Sequence, residues 1–117
     1  ELDAAENLQF FARVRGMHGA DERCRECLEL VGLDPERRTP VRGYSTGMAQ
    51  RLKIAQALLH DPPLLFFDEP GSNLDPKGKD WLEGHVRVLG ESGKTIILAT
   101  NDHREMEWGK RHVALAG

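Results

Sequence analysis

A length of 117 residues gives room for one ordinary domain, and a hydrophobic fraction of 39% suits a globular chain rather than a disordered one. With 16 Lys and Arg against 19 Asp and Glu, the formal net charge is −3, which supplies no electrostatic footprint for a nucleic-acid backbone and argues against binding DNA through a basic face. No apolar run approaches the roughly 20 residues needed to cross a bilayer, and the opening Glu1-Leu2-Asp3-Ala4-Ala5-Glu6 lacks the basic and apolar regions of a signal peptide. The expectation is therefore cytoplasmic residence without direct membrane insertion.

In chain order, Asp3 and Glu6 stand as a capping box, Leu8, Phe11 and Ala12 recur at helical spacing, and Gly16 is a stop, which predicts a helix from Ala4 to Arg15. A second helix is predicted from Asp21 as N-cap to Val31, with Gly32 as a left-handed C-terminal cap that folds Leu33 back on Leu28. Cys24 and Cys27 form a lone Cys-x-x-Cys, without the second pair or histidine pair that a tetrahedral metal site needs. They share the apolar face of the helix with Leu28 and Val31, so core packing is the reading. Glu36 to Gly43 is an irregular basic loop whose Arg37, Arg38 and Arg42 could touch an acidic partner, solvation being the commoner fate of such charges.

Ser45 is placed to N-cap a third helix by accepting from the Met48 N–H, and that helix should end near His60, before Asp61-Pro62-Pro63. Leu64-Leu65-Phe66-Phe67 is a short continuous apolar run, the pattern of a strand buried on both faces at the centre of a parallel sheet. Asp75 and Pro76, an N-cap with proline at N1, open a helix that should bury Leu82, Val86 and Leu89 and stop at Gly90. Thr95 to Thr100 is the next strand, followed by a short helix around His103 to Trp108 and a last strand over His112 to Ala116. Right-handed crossovers are expected for such a β-α-β-α-β series. Composition changes near Asp61, which divides the chain into a helical part, 1–60, and an alternating strand-helix part, 61–117.

Three segments carry chemistry. Ser45-Thr46-Gly47 heads a helix, where backbone N–H groups, a hydroxyl and the positive end of the helix dipole suit a phosphate. Any Ser-capped helix looks alike in this respect. Asp68 and Glu69 end a strand and precede Pro70, which puts two carboxylates at the carboxyl edge of a parallel sheet, where ligands of such sheets bind. Ser72-Asn73-Leu74-Asp75 follows at once as an acidic turn.

Taken together, the stretch from Tyr44 to Pro76 resembles the signature helix, Walker B strand and D-loop of ATP-binding cassette (ABC) ATPases. Tyr-Ser-x-Gly-Met followed by Gln-Arg-Leu is similar to the variant in many bacterial exporter ATPases. The resemblance implies an α/β fold, part of the P-loop NTPase fold of these ATPases. A helical signature subdomain comes first, and the later half of the nucleotide-binding core follows with Walker B, D-loop and switch loop. The phosphate-loop half is absent from these residues and expected upstream. It implies ATP and Mg²⁺, with Asp68 holding Mg²⁺ through water and Glu69 polarising the attacking water. It implies that Ser45, Thr46, Gly47 and Met48 close over the ATP of a second ABC ATPase subunit, identical or not. Asp75 in the D-loop would then lie at the dimer interface. A transmembrane permease is the other implied partner, placing the intact protein at the inner face of the plasma membrane.

Some residues depart from the family pattern. Thr46, Met48, Tyr44 and Gly71 replace the usual glycine, glutamine, leucine and threonine. Asn101 occupies the switch-loop position that usually carries a histidine reaching the γ-phosphate, and asparagine can donate a hydrogen bond but carries no proton or charge. His103 lies two residues on, while His18, His60, His85 and His112 have no partners that suggest a site. Gly90-Glu91-Ser92-Gly93-Lys94-Thr95 imitates a phosphate loop but leaves a helix to enter a strand, the reverse of what anion binding requires. The expected function is thus part of the ATPase subunit of an exporter, inactive without its phosphate loop. A non-catalytic interaction module and a soluble ABC-type ATPase of DNA maintenance stand as alternatives.

Overall fold

Asp3 begins the first helix as its residue type requires: its carboxylate accepts from the Glu6 N–H at 2.9 Å, and the Asp3 N–H donates to Glu6 Oε1 at 3.1 Å. In the computed structural model, which describes residues 1–111 and residue 113, this helix is α1, Ala4–Val14, with Arg15 as its C-cap. It buries Ala4, Leu8 and Ala12. The second helix, α2, runs Asp21–Leu30. Its N-cap is Ala20, with no side-chain cap bond, and Asp21 is the first helical residue instead. Asp21 still favours the start there, through its charge against the positive end of the dipole.

The C-terminus of α2 is closed as expected. Gly32 takes φ +77°, its N–H donates to the Glu29 carbonyl, and the Leu33 N–H reaches the Leu28 carbonyl at 2.9 Å. This double closure needs a residue that tolerates the left-handed region, hence glycine. Cys24 and Cys27 are both buried and free, and burial pushes the Cys27 thiol up to about 11. The basic loop keeps its charges inside the chain: Arg38 pairs with Asp3 at 3.2 Å, Arg42 with Glu1 at 2.7 Å, and Arg37 donates to the Thr39 hydroxyl.

A 3-10 turn at Val41–Gly43 leads to α3, Thr46–Leu58, with Leu59 as C-cap. The three helices α1, α2 and α3 pack on one another around Leu8, Leu28, Leu52, Ala55 and Leu59. They form the first of two units, Glu1–Pro62. His60, just past α3, has Arg15 Nη1 2.9 Å from its Nδ1.

The second unit, Pro63–Gly117, holds β1 (Leu64–Asp68), α4 (Pro76–Glu91), β2 (Thr95–Ala99) and α5 (His103–Met106). β1 and β2 pair in parallel, Leu64 beside Thr95 and Asp68 beside Ala99. The expectation of a strand buried on both faces fails. Leu65 and Phe67 are buried, but Leu64 is 53% and Phe66 60% exposed, because only one face of this two-stranded sheet is covered among the described residues.

α4 buries Leu82 and Val86, while Leu89 is only half-buried. It runs one residue past Gly90, and its left-handed cap is Gly93 at φ +96°, with the Lys94 N–H on the Leu89 carbonyl. The segment that imitates a phosphate loop is therefore a helix C-cap leading into β2. β2 ends one residue, and α5 two residues, short of expectation. The strand expected over 112–116 falls, Val113 apart, outside the described residues. No helix among the described residues is long and apolar enough to cross a membrane.

Candidate functional site

The candidate residues fall into two groups, one in each unit. In the first, Ser45 sits in extended backbone (φ −64°, ψ 164°) and its hydroxyl accepts from the Met48 N–H at 3.1 Å. Extended geometry at the cap and helical geometry at Thr46 turn the N–H groups of Thr46 and Gly47 out along the helix axis, where no intrahelical acceptor exists. Ser45 and Thr46 are exposed, Gly47 and Met48 half-buried. The terminus can present backbone donors, one hydroxyl and a positive dipole end to an anionic oxygen.

The second group is built at the carboxyl edge of the β1-β2 sheet. Asp68 ends β1 and is exposed. Glu69 leaves the strand at φ +47°, a left-handed conformation that costs a side-chain-bearing residue about 1–2 kcal/mol. The reversal is held from both sides. The Glu69 N–H donates to the Ala99 carbonyl at 2.8 Å, extending the ladder by one bond, and its own carbonyl accepts from the Ser72 N–H at 3.2 Å. Its carboxylate faces the end of β2, where the Asn101 N–H donates to Oε1 at 2.8 Å.

Asp68, Glu69 and Asn101, chosen from sequence, are thus neighbours on one edge, and the contact to Asn101 runs through its backbone. Asp75 caps α4, accepting from the Gly78 N–H at 2.8 Å. Hard oxygen donors such as Asp68 fit Mg²⁺, which keeps most of its waters and takes one or two carboxylates plus substrate phosphates. The described residues gather no cluster of three or more metal-ligating side chains.

Beneath this edge lies a carboxyl that sequence reasoning missed. Glu105, on α5, is 2% exposed. Its carboxyl is hydrogen-bonded by the Thr100 side chain and the Gly71 backbone, and Oε1 has no hydrogen-bond partner among the described residues. Burial pushes the Glu105 carboxyl above the ordinary carboxylate range, against those two hydrogen bonds. A Cβ on Gly71 would run into Glu105 Oε2. Nothing local distinguishes a glutamate in the polar run His103-Arg104-Glu105, so only the folded chain reveals it.

α5 is anchored to α4 by charge. Arg104 bonds Asp80 and, at 3.0 Å, Glu83, and the Trp108 indole N–H reaches Glu83 at 3.1 Å. The Arg104 hydrogen bond, seconded by Trp108, holds the Glu83 carboxyl below its usual range. His103 is exposed. His85 stacks on Trp81 with ring centroids 5.3 Å apart, and burial pushes its imidazole below the usual value.

Comparison with known proteins gives a consistent picture. A family model described as ABC transporter matches residues 1–72. The chain is 47% identical over 107 residues to the ABC transporter ATP-binding protein YdbJ of Bacillus subtilis (strain 168), covering 91% of this chain and 34% of that protein. It is 41% identical over 108 residues to the bacitracin transport ATP-binding protein BcrA of Enterococcus faecalis, with 91% and 34% covered. Among solved structures, the dimeric bacterial ABC transporter cassette MJ0796 superposes with a TM-score of 0.81 at 30% identity, over 93% of this chain and 50% of that one. The chain thus spans about a third of the length of the curated relatives it matches.

Proposed function

The chain belongs to the ABC transporter family, and from that membership we propose that the intact protein is an ATPase subunit which, as a dimer, couples MgATP hydrolysis to transport through a membrane permease. The observation that carries this reading is the strand edge itself. A parallel strand with one face buried delivers Asp68 and then turns left-handed at Glu69, so that two consecutive carboxylates stand at the ligand-binding edge of the sheet. The strain at Glu69 is what a structural loop would avoid and a site retains.

In this reading Asp68 holds Mg²⁺ through water. The ion, when bound, neutralises charge developing on the phosphate oxygens. Glu69 has one carboxylate oxygen fixed by the Asn101 N–H and the other open to a water, which it polarises for attack on the γ-phosphorus. Asn101 stands where its side-chain amide can donate to the γ-phosphate. Ser45, Thr46, Gly47 and Met48 serve the nucleotide of the partner subunit, and Asp75 brings the turn after β1 to the dimer interface. The dimeric MJ0796 cassette supports that arrangement by similarity. The second unit carries the hydrolytic residues and the first unit the signature helix.

Export is the favoured direction, since similar proteins are named for Nod factor export and for daunorubicin resistance. The subunit then works at the cytoplasmic face of the membrane, held there by the permease. The 117 residues include no Gly-x-x-x-x-Gly-Lys-Ser/Thr stretch, so by themselves they lack the donors for the β- and γ-phosphates and turn over no ATP.

The test is Glu69→Gln in the intact protein. The amide keeps the size and an acceptor for the Asn101 N–H but loses the basicity. ATP affinity should stay within about threefold while kcat falls by about a hundredfold or more. An unchanged kcat would remove Glu69 from the reaction and the reading with it.

A further inference from the structure

Glu69 and Asn101 belong to two different connections, one leaving β1 and one leaving β2. Their direct link is a single hydrogen bond from the Asn101 backbone, and Asn101 is exposed. What fixes the two connections relative to each other lies underneath. The Gly71 N–H, in the turn two residues past Glu69, and the Thr100 hydroxyl, one residue before Asn101, both bond the carboxyl of Glu105. Thr100 Oγ1 in turn accepts from the Asp102 N–H at 2.9 Å. Asp102 accepts from the N–H groups of Arg104 at 2.8 Å and Glu105 at 3.3 Å. Glu105 is thereby gripped through its own backbone by the loop it supports.

Resting on the ATPase reading above, we propose that Glu105 is a positioning residue whose buried carboxyl ties the turn after Glu69 to the end of β2, keeping the Glu69 carboxylate on the Asn101 backbone. Three observations carry it. The side chain is 2% exposed, so its contacts are made inside the protein and not with solvent. It bridges two segments, at Gly71 and Thr100, that are 29 residues apart in numbering and that also meet at this edge through the hydrogen bonds of Glu69 to Ala99 and Asn101. And the place of Gly71, which departs from the threonine of the resembled family, is filled by Glu105 Oε2: a Cβ there has no room unless the carboxyl moves. The glycine and the glutamate form a matched pair.

The consequence is a division of labour. Removing Glu105 should leave ATP binding, which uses other groups, and loosen the geometry of the water-polarising carboxylate. Misplacement of a catalytic group by about 1 Å can cost about a hundredfold in rate.

The experiment uses the full-length protein with its partner subunit and permease. Glu105→Ala, Glu105→Gln and Thr100→Val are compared with wild type for ATP hydrolysis and for amide hydrogen exchange at Gly71 and Asn101. For Glu105→Ala we expect kcat to fall by about tenfold or more with KM for ATP within about twofold, and exchange at both amides to quicken by about tenfold. Glu105→Gln, which keeps an acceptor at the same reach, should restore most of both, and Thr100→Val should fall between. Gly71→Ala should lower kcat in the wild-type background and do little when added to Glu105→Ala. A wild-type protein that hydrolyses ATP together with a Glu105→Ala variant of unchanged kcat overturns the tie and leaves the ATPase reading standing. So does a loss of kcat that follows the melting temperature and is not restored by glutamine. A wild-type complex that hydrolyses no ATP overturns the ATPase reading itself and the positioning role with it.

Discussion

At the scale of single residues, the site combines one strained backbone and one unusual side chain. Glu69 is fixed by the backbone N–H of residue 101, so the identity of that side chain is free to vary without releasing the carboxylate. Asn101→His in the intact protein should therefore preserve stability within about 0.5 kcal/mol, as for other exposed positions. If the amide is a weak substitute for a charged donor at the γ-phosphate, kcat should rise by about tenfold, since one such donor is worth that and more. An unchanged kcat in a steady-state assay would show that asparagine already makes the contact.

The two thiols give a prediction of different character. Cys24 and Cys27 are held protonated chiefly by burial, Cys27 at about 11 against an ordinary 9.0. A folded-state value above the unfolded one means that below pH 9 both states keep the proton and stability is intact. As the pH rises from 9 through about 11 the unfolded chain ionises first and stability is lost. Neither thiol should react with a thiol-specific reagent at neutral pH in the native protein, and both should react once it is unfolded. Labelling of the native protein at neutral pH would contradict their placement in the core.

At the scale of elements, α2 and α3 cap each other. Arg23, near the start of α2, donates from Nε to the Leu59 carbonyl at 3.0 Å and from Nη2 to the Leu58 carbonyl at 2.6 Å, closing the end of α3. Arg51 of α3 donates to the Val31 carbonyl at 2.9 Å, closing the end of α2. A cation on the last carbonyls of a helix satisfies orphan acceptors and opposes the negative dipole end at once. Arg23→Ala or Arg51→Ala should each cost about 1.5–3 kcal/mol in denaturant unfolding. Arg23→Lys should recover less than half of that, because a point ammonium does not span two carbonyls as the guanidinium fork does. Full recovery by lysine would reduce the effect to charge alone.

These arginines also mark what the sequence conceals. Ser45, Asp75-Pro76 and the Asp3-Glu6 box are legible because capping is a local bargain between a side chain and an N–H three residues on. The strand edge at Asp68-Glu69 is legible for the same reason, a short apolar run ending in polar residues. Arg23, Arg51 and Glu105 act across 20 or more residues of sequence, where periodicity carries no information. The exposure of Phe66 is hidden for a related reason. A continuous apolar run says that both faces of a strand could be buried, and only the neighbouring layers decide whether they are.

At the scale of the molecule, that uncovered face decides how these 117 residues behave alone. Leu64 and Phe66 of β1 alternate with the buried Leu65 and Phe67, and Ile97, paired beside Phe66, is 47% exposed. The result is an apolar strip on a two-stranded parallel sheet, a type of sheet that elsewhere has helices on both faces. The sheet's outer edges also carry unpaired ladder groups among the described residues. Exposed apolar surface next to open strand edges drives association. The 117-residue chain expressed by itself should therefore self-associate at micromolar concentration in light scattering. Phe66→Lys should weaken that association, whereas Val88→Lys, at an exposed apolar residue of α4 rather than of the sheet, should leave it intact. A monodisperse monomer at high concentration would mean that the strip is too small to matter; association that Phe66→Lys and Val88→Lys reduce equally would move the sticky surface elsewhere.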